Sequence, residues 1–172
     1  TTLFAAIQSK FKNSYIVGLD KSKILINNFK KYSFPTYELN LNKYFRLKNS
    51  NKLNFVTKLK DKEKFDFVII CVGTPLNLNK EINNSILFKS IKQVKKSLHE
   101  NSLLIVRSSV KVGTMELIKK KFFKKNFCSF AYCPERTIEG NAVKEIMKLP
   151  QLIGTEDKIS KLKANLFFSK LT

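Results

Sequence analysis

The sequence predicts an α/β protein with an open parallel sheet, and three observations carry that expectation. Short apolar runs alternate with segments of helical period along the whole chain. The run at residues 67–72 is apolar throughout and rich in Val and Ile, and it stops at Gly73, Thr74 and Pro75. A run that short fits a strand covered on both faces, and the Gly and Pro force a turn at its carboxyl end. Finally, three successive strand ends carry polar side chains: Thr74, Ser109 and the segment from Glu135 to Glu139. Right-handed crossovers place such ends on one edge of a parallel sheet, the edge where open sheets bind ligands. Taken alone, residues 66–75 are explained equally well by an ordinary core strand and an ordinary turn.

In chain order, Leu3, Phe4, Ile7 and Phe11 recur at helical spacing, so residues 1–11 are expected to be helical until Asn13 and Ser14. Residues 15–20 read as a second buried strand ending in a carboxylate, Asp20, and 21–29 as a short helix. That carboxylate suits the ribose hydroxyls of a dinucleotide, and it equally suits the cap of the helix that follows; the two roles are compatible. Residues 30–53 are polar and irregular, long for a loop, with one short helix expected near 39–47. Residues 53–57 form a third strand, and 58–65 lead into the strand at 67–72. After the loop-like stretch 76–84, residues 85–98 give the cleanest helix. Ile86, Leu87, Ile91, Val94 and Leu98 line one stripe there and lysines cover the other face. His99 follows at the C-terminal end, where a favourable charge near the helix dipole is a simpler role than catalysis. Residues 103–106 form the next strand, and 115–123 the next helix. A strand at 127–132, a short helix at 142–147, a last short strand at 150–154 and a helix over 158–168 complete the alternation.

At 172 residues the default is one domain. No window is apolar for the ~18 residues that a membrane-spanning helix needs. The first residues have neither a basic flank nor a cleavage pattern, so they do not read as a signal peptide, and they lack an initiator Met. The net charge of +20 suggests a polyanion. Yet only Arg46, Arg107 and Arg136 are arginine, and the lysines are spread over the chain among many asparagines. Base reading and phosphate forking favour arginine, so specific nucleic-acid binding is not expected, and without an apolar window of that length no membrane partner is expected either. Cys71, Cys128 and Cys133 lack metal-ligand spacing and point to a reducing cytoplasm, and Cys71, inside an apolar run, reads as buried filler.

Four motifs occur in a fixed order: Val17-Gly18-Leu19-Asp20; Ile69-Ile70-Cys71-Val72-Gly73-Thr74-Pro75; the segment from Arg107 through Ser109 to Gly113-Thr114; and Cys133-Pro134-Glu135-Arg136-Thr137-Ile138-Glu139-Gly140-Asn141. In order and spacing this series resembles the UDP-glucose/GDP-mannose dehydrogenase family, over nearly the whole chain. The resemblance implies a Rossmann-like doubly wound parallel sheet and an NAD-dependent oxidation of a nucleotide sugar, at C6, from alcohol to acid in two steps. It implies that Asp20 holds the adenosine ribose and that Val72, Gly73, Thr74 and Pro75 line the dinucleotide. Ser109 stands where the family usually has Thr, near the nicotinamide. Glu135 and Glu139 would face the reacting carbon, with Glu139 positioning water or moving a proton. Arg136 would either stabilise the site electrostatically or form a structural ion pair. The wording of residues 135–141 leans toward a UDP-N-acetylhexosamine over UDP-glucose.

The resemblance also implies absences. The family's first strand and Gly-x-Gly-Tyr-Val-Gly loop would precede residue 1, and its catalytic Cys, Lys and Asn would follow residue 172. Residues 1–172 are therefore expected to be an NAD-binding domain truncated at both ends, a homodimer only when full length, and inactive with weak NAD binding alone. Two other classes compete: a non-catalytic basic α/β binding module, and a different Rossmann dehydrogenase, against which the Pro134-Glu135-Arg136 to Gly140 motif argues.

Overall fold

The structure is a computed structural model, and it describes residues 2–31, 33, 38, 41, 52–125 and 127–172. The helix expected near 39–47 lies outside the described residues except for Leu41. The described elements run α1 (Thr2–Lys10), β1 (Tyr15–Leu19), α2 (Lys23–Lys30), β2 (Lys52–Val56), β3 (Phe67–Ile70), α3 (Ser85–Val94), β4 (Leu103–Val106), α4 (Thr114–Phe122), β5 (Ser129–Tyr132), α5 (Ala142–Ile146) and α6 (Lys158–Leu171). Every pairing between these strands is parallel, so the fold is α/β with parallel sheets as expected.

The chain divides into two compact units. The first comprises residues 1–60, 136–150 and 167–172. Its sheet pairs β1 with β2, Tyr15 opposite Lys52 through Leu19 opposite Val56. Ala5, Ile26, Phe29, Leu41, Phe55 and Val143 form its core, with Phe4, Leu25 and Met147 packed against them. Phe55 is the hub: its ring centroid lies 4.9 Å from that of Phe4 and 5.2 Å from that of Phe29. Gly18 in β1 makes room for it, because a Cβ there would stand 2.8 Å from the Phe55 ring. The α2 helix turns an apolar face to this core, burying Ile26 and Phe29. Its cap is Ser22, whose Oγ accepts the Leu25 N–H at 3.2 Å. Asp20 therefore does not cap the helix directly. Its Oδ1 accepts the Ser22 N–H at 2.8 Å and shapes the turn that delivers Ser22.

The second unit comprises residues 61–135 and 151–166. Its sheet has the order β3-β4-β5. In β4 all four residues are fully buried, as a strand between two neighbours and under helices must be. Leu87 and Ile91 of α3 and Ile118 of α4 are also fully buried. Burial of each such side chain contributes roughly 1.5–3 kcal/mol.

Several expected boundaries move. The run at 67–72 is a strand only as far as Ile70, and within its sheet β3 is an edge strand whose only buried residue is Ile70. Cys71 is exposed, so it is not buried filler. The apolar content of the run reflects β-propensity more than cover on both faces. The helix over 85–98 closes in a 3-10 turn at Lys95–Ser97. Residues 150–154 make no strand of their own; Gly154 forms an isolated antiparallel bridge to Tyr132. No described helix is long and apolar enough to cross a membrane.

Candidate functional site

In the second unit the carboxyl ends of three adjacent strands bring together Gly73-Thr74-Pro75, Arg107-Ser108-Ser109 and Cys133-Pro134-Glu135. The loops are tied by short hydrogen bonds. The Ser108 hydroxyl donates to the Val72 carbonyl at 2.6 Å, and the Thr74 hydroxyl donates to the Ser109 carbonyl at 2.7 Å. Thr74 and Ser108 therefore fix the path of the backbone. The Ser109 side chain is exposed, with no hydrogen-bond partner among the described residues. Gly73 carries no positive φ, and nothing lies within 4 Å of where its Cβ would stand. Neither backbone strain nor internal packing requires a glycine there. Pro75 accepts the Asn83 N–H at 2.8 Å and so anchors the loop that follows.

Behind this edge lies a charge that the sequence reading left without a role. Arg107 follows four buried apolar residues, is itself only 2% exposed, and reaches Glu135 and Gln151. Its Nη2 lies 2.6 Å from Glu135 Oε2, its Nε donates to the same oxygen at 3.1 Å, and its Nη1 donates to Gln151 Oε1 at 3.1 Å. The main chain reinforces the pair, for the Glu135 N–H donates to the Arg107 carbonyl at 3.1 Å. A guanidinium fork holds such a geometry better than an ammonium, and an arginine in a lysine-rich chain was the available signal. The Glu135 carboxylate, 36% exposed, is thus engaged by the scaffold through Oε2.

Cys133 beside Glu135 is buried, and desolvation pushes its thiol up to about 12, with Arg107 pulling the other way. Desolvation likewise raises Cys128 to about 11. Cys71 is exposed as a residue, yet crowding around its thiol raises it to about 11. A nucleophilic cysteine needs the opposite shift, so none of the three is activated.

The first unit carries the other two candidates. Asp20 stands just past the carboxyl end of β1, its N–H bonded to the Val56 carbonyl at 3.2 Å. One carboxylate oxygen holds the Ser22 N–H, and the other has no hydrogen-bond partner among the described residues. Glu139 is exposed on a loop whose backbone is held on both sides. The Ile138 N–H donates to Glu145 Oε2 at 2.8 Å. The Gly140 N–H donates to Glu38 Oε2 at 3.1 Å, and the Val143 N–H to Glu38 Oε1 at 2.8 Å. Gly140 adopts φ 94°, a left-handed conformation that favours glycine. The Glu139 carboxylate itself makes no hydrogen bond or ion pair with the described residues. Glu38 was not legible as a partner of this loop, because it lies in the irregular stretch 30–53.

A groove of about 870 Å³ lies elsewhere, against the amino ends of the strands in the second unit. Lys64, Lys92, Lys96 and Lys121 line it together with Phe88 and Phe122. Two of these lysines serve the fold: Lys64 Nζ donates to the Lys96 carbonyl at 2.7 Å and the Leu98 carbonyl at 3.1 Å, and Lys121 sits 4.9 Å from the Phe88 ring centroid. They complement helix C-termini, which a binding module need not explain. His99 is similarly local, with Nδ1 accepting the Asn101 N–H at 3.2 Å and Nε2 3.5 Å from Asp66 Oδ1. Among the described residues no cluster could hold a metal ion.

Comparison with known proteins places the chain in a family. The model of the UDP-glucose/GDP-mannose dehydrogenase family, NAD binding domain, matches residues 2–172. A UDP-N-acetyl-D-mannosamine dehydrogenase from Methanocaldococcus jannaschii is 33% identical over 149 residues, covering 84% of this chain and 34% of that protein. A UDP-glucose 6-dehydrogenase from Rickettsia bellii is 26% identical over 165 residues, covering 92% of this chain and 37% of that protein. Among solved structures, a UDP-N-acetyl-mannosamine dehydrogenase from Staphylococcus aureus superposes with a TM-score of 0.86 at 19% identity, over 99% of this chain and 42% of that one. A GDP-mannose dehydrogenase from Pseudomonas aeruginosa gives 0.84 at 21% identity, over 98% and 41%. These likenesses show the Rossmann fold. The chain spans about a third of the length of the curated relatives it matches.

Proposed function

The chain belongs to the UDP-glucose/GDP-mannose dehydrogenase family as an NAD-binding domain, and from that premise we propose that the protein oxidises C6 of a UDP-sugar to the carboxylate. NAD⁺, when bound, supplies the hydride acceptor for each of the two oxidations, and a water molecule supplies the second carboxylate oxygen. The residues present fit that cofactor. Asp20 has a carboxylate oxygen available for ribose hydroxyls. Val72, Gly73, Thr74 and Pro75 form a hydrogen-bonded turn whose glycine leaves the backbone open to a ligand. Ser109 presents a hydroxyl on the same edge as Gly73.

The two glutamates then divide the work. Glu135 orients the edge through Arg107, while Glu139, exposed and without a partner among the described residues, positions water or carries its proton during hydrolysis of an acyl intermediate. That intermediate needs a nucleophile other than Cys71, Cys128 and Cys133, whose thiols are held protonated at neutral pH. The three free cysteines support a reducing cytoplasm, and the family resemblance carries a homodimer of the full-length protein.

The observation that carries this reading is the convergence of Gly73, Ser109 and Glu135 on one edge of β3-β4-β5. The 33% identity to a UDP-N-acetyl-D-mannosamine dehydrogenase favours a UDP-N-acetylhexosamine over UDP-glucose. The test is to offer the natural full-length protein NAD⁺ with each UDP-sugar. Two NADH per uronic acid, with faster turnover of the N-acetylated sugar, is expected. No turnover of any nucleotide sugar would overturn the activity, and preference for UDP-glucose would overturn the substrate.

A further inference from the structure

We propose that Glu38 is a positioning residue for the Glu139 loop, acting as a two-point carboxylate clamp. Three observations carry it. Glu38 is 9% exposed, unusual for a carboxylate, and its two oxygens accept separate backbone N–H groups about a hundred positions further along the chain. A buried carboxylate is costly unless its oxygens are satisfied by donors, and these two amides supply them.

The second observation is where those amides lie. Val143 is in the first turn of α5, whose cap residue Asn141 makes no side-chain cap bond. The orphan amide of that turn is therefore satisfied by Glu38 from outside the helix. Gly140 is the residue directly after Glu139, and its φ of 94° sets the direction in which the chain leaves. The third observation is the other side of the loop. Glu145 Oε2 accepts the Ile138 N–H, and the Asn141 amide reaches Glu145 Oε1 at 3.5 Å. Both neighbours of Glu139 are thus fixed by carboxylates through their backbones, while its own carboxylate stays exposed. Side chains that act in chemistry gain from a supporting shell of this kind, since a displacement of about 1 Å can cost about 100-fold in rate.

The catalytic half of this inference rests on the dehydrogenase reading, and the test separates the two. Glu38→Gln in the natural full-length protein keeps shape and one acceptor but turns an N–H donor toward one of the two amides. Amide exchange at Gly140 and Val143 should rise about tenfold or more while amides in β1 and β2 hold. In steady-state kinetics kcat should fall about 100-fold, with KM for NAD⁺ and for the UDP-sugar within about twofold. Unchanged exchange, or faster exchange with unchanged kcat, overturns the proposal. Should the variant fail to fold, coupling across the hydrogen bonds from the Gly140 and Val143 amides to the Glu38 carboxyl carbon in the wild type decides the clamp, and its absence refutes it. If the wild type shows no dehydrogenase activity, the enzyme reading falls while the exchange measurement still decides the clamp.

Discussion

Glu135 and Glu139 are four residues apart in one motif and are held in opposite ways. Glu135 has its side chain fixed, by a buried guanidinium at 2.6 Å. Glu139 has its neighbours' backbone fixed and its side chain left in solvent. The first arrangement makes a carboxylate part of the scaffold. The second makes one available for chemistry at a defined place. Under the proposed function, the same residue type serves architecture or reaction according to whether the protein holds its carboxylate or its peptide plane.

Breaking the Glu135 side of the contrast should give the largest effect. Glu135→Ala removes the carboxylate that faces the buried Arg107 charge, and should cost about 3 kcal/mol, read by denaturant unfolding. Arg107→Met approaches the same pair from its other end. It leaves the half-exposed Glu135 to water and fills the space with an apolar chain, so it should cost less than about 1.5 kcal/mol. Equal losses for the two would mean that packing, not a stranded charge, dominates.

Asp157 offers an intermediate case, a carboxylate used by the fold but near the surface. Its Oδ1 accepts the Ser160 N–H at 2.8 Å and its Oδ2 accepts the Ser160 hydroxyl at 2.6 Å at the start of α6. The Ser160 hydroxyl, more than any other group, holds this carboxyl below its usual range. The folded protein binds that proton less tightly than the unfolded chain. Its contribution is therefore complete above the ordinary carboxylate pKa of about 3.9 and lost as pH falls through the lower folded value. Asp157→Ala should cost about 1 kcal/mol near neutral pH, and the gap to wild type should narrow in acid. The smallest effect belongs to Glu139→Gln, whose stability should stay within about 0.5 kcal/mol of wild type.

Much of this was legible in the sequence because the strands are short apolar runs with polar residues at their carboxyl ends. The four residues of β4 read directly, and so did the parallel pairing. Cys71 misled, because an apolar run was taken to be buried to its end, whereas the strand stops at Ile70 and leaves Cys71 exposed as a residue, with only its thiol crowded. Asp20 was read as a possible cap, but the serine two residues on has the reach to the Leu25 amide. Gly18 carried a hidden constraint: nothing in the sequence told that Phe55 would come within 2.8 Å of its missing side chain. Arg107 and Glu38 were missed for a common reason. Each acts through a partner distant in sequence, Glu135 for one and Gly140 with Val143 for the other, and local pattern carries no information about such pairs.

The most direct test of the division between the two glutamates compares Glu135→Gln and Glu139→Gln in the natural full-length protein, measuring kcat and melting temperature on the same samples. Glu139→Gln is expected to lower kcat at least about 100-fold with an unchanged melting temperature, and Glu135→Gln to lower the melting temperature. A Glu139 variant that turns over like wild type would contradict the account.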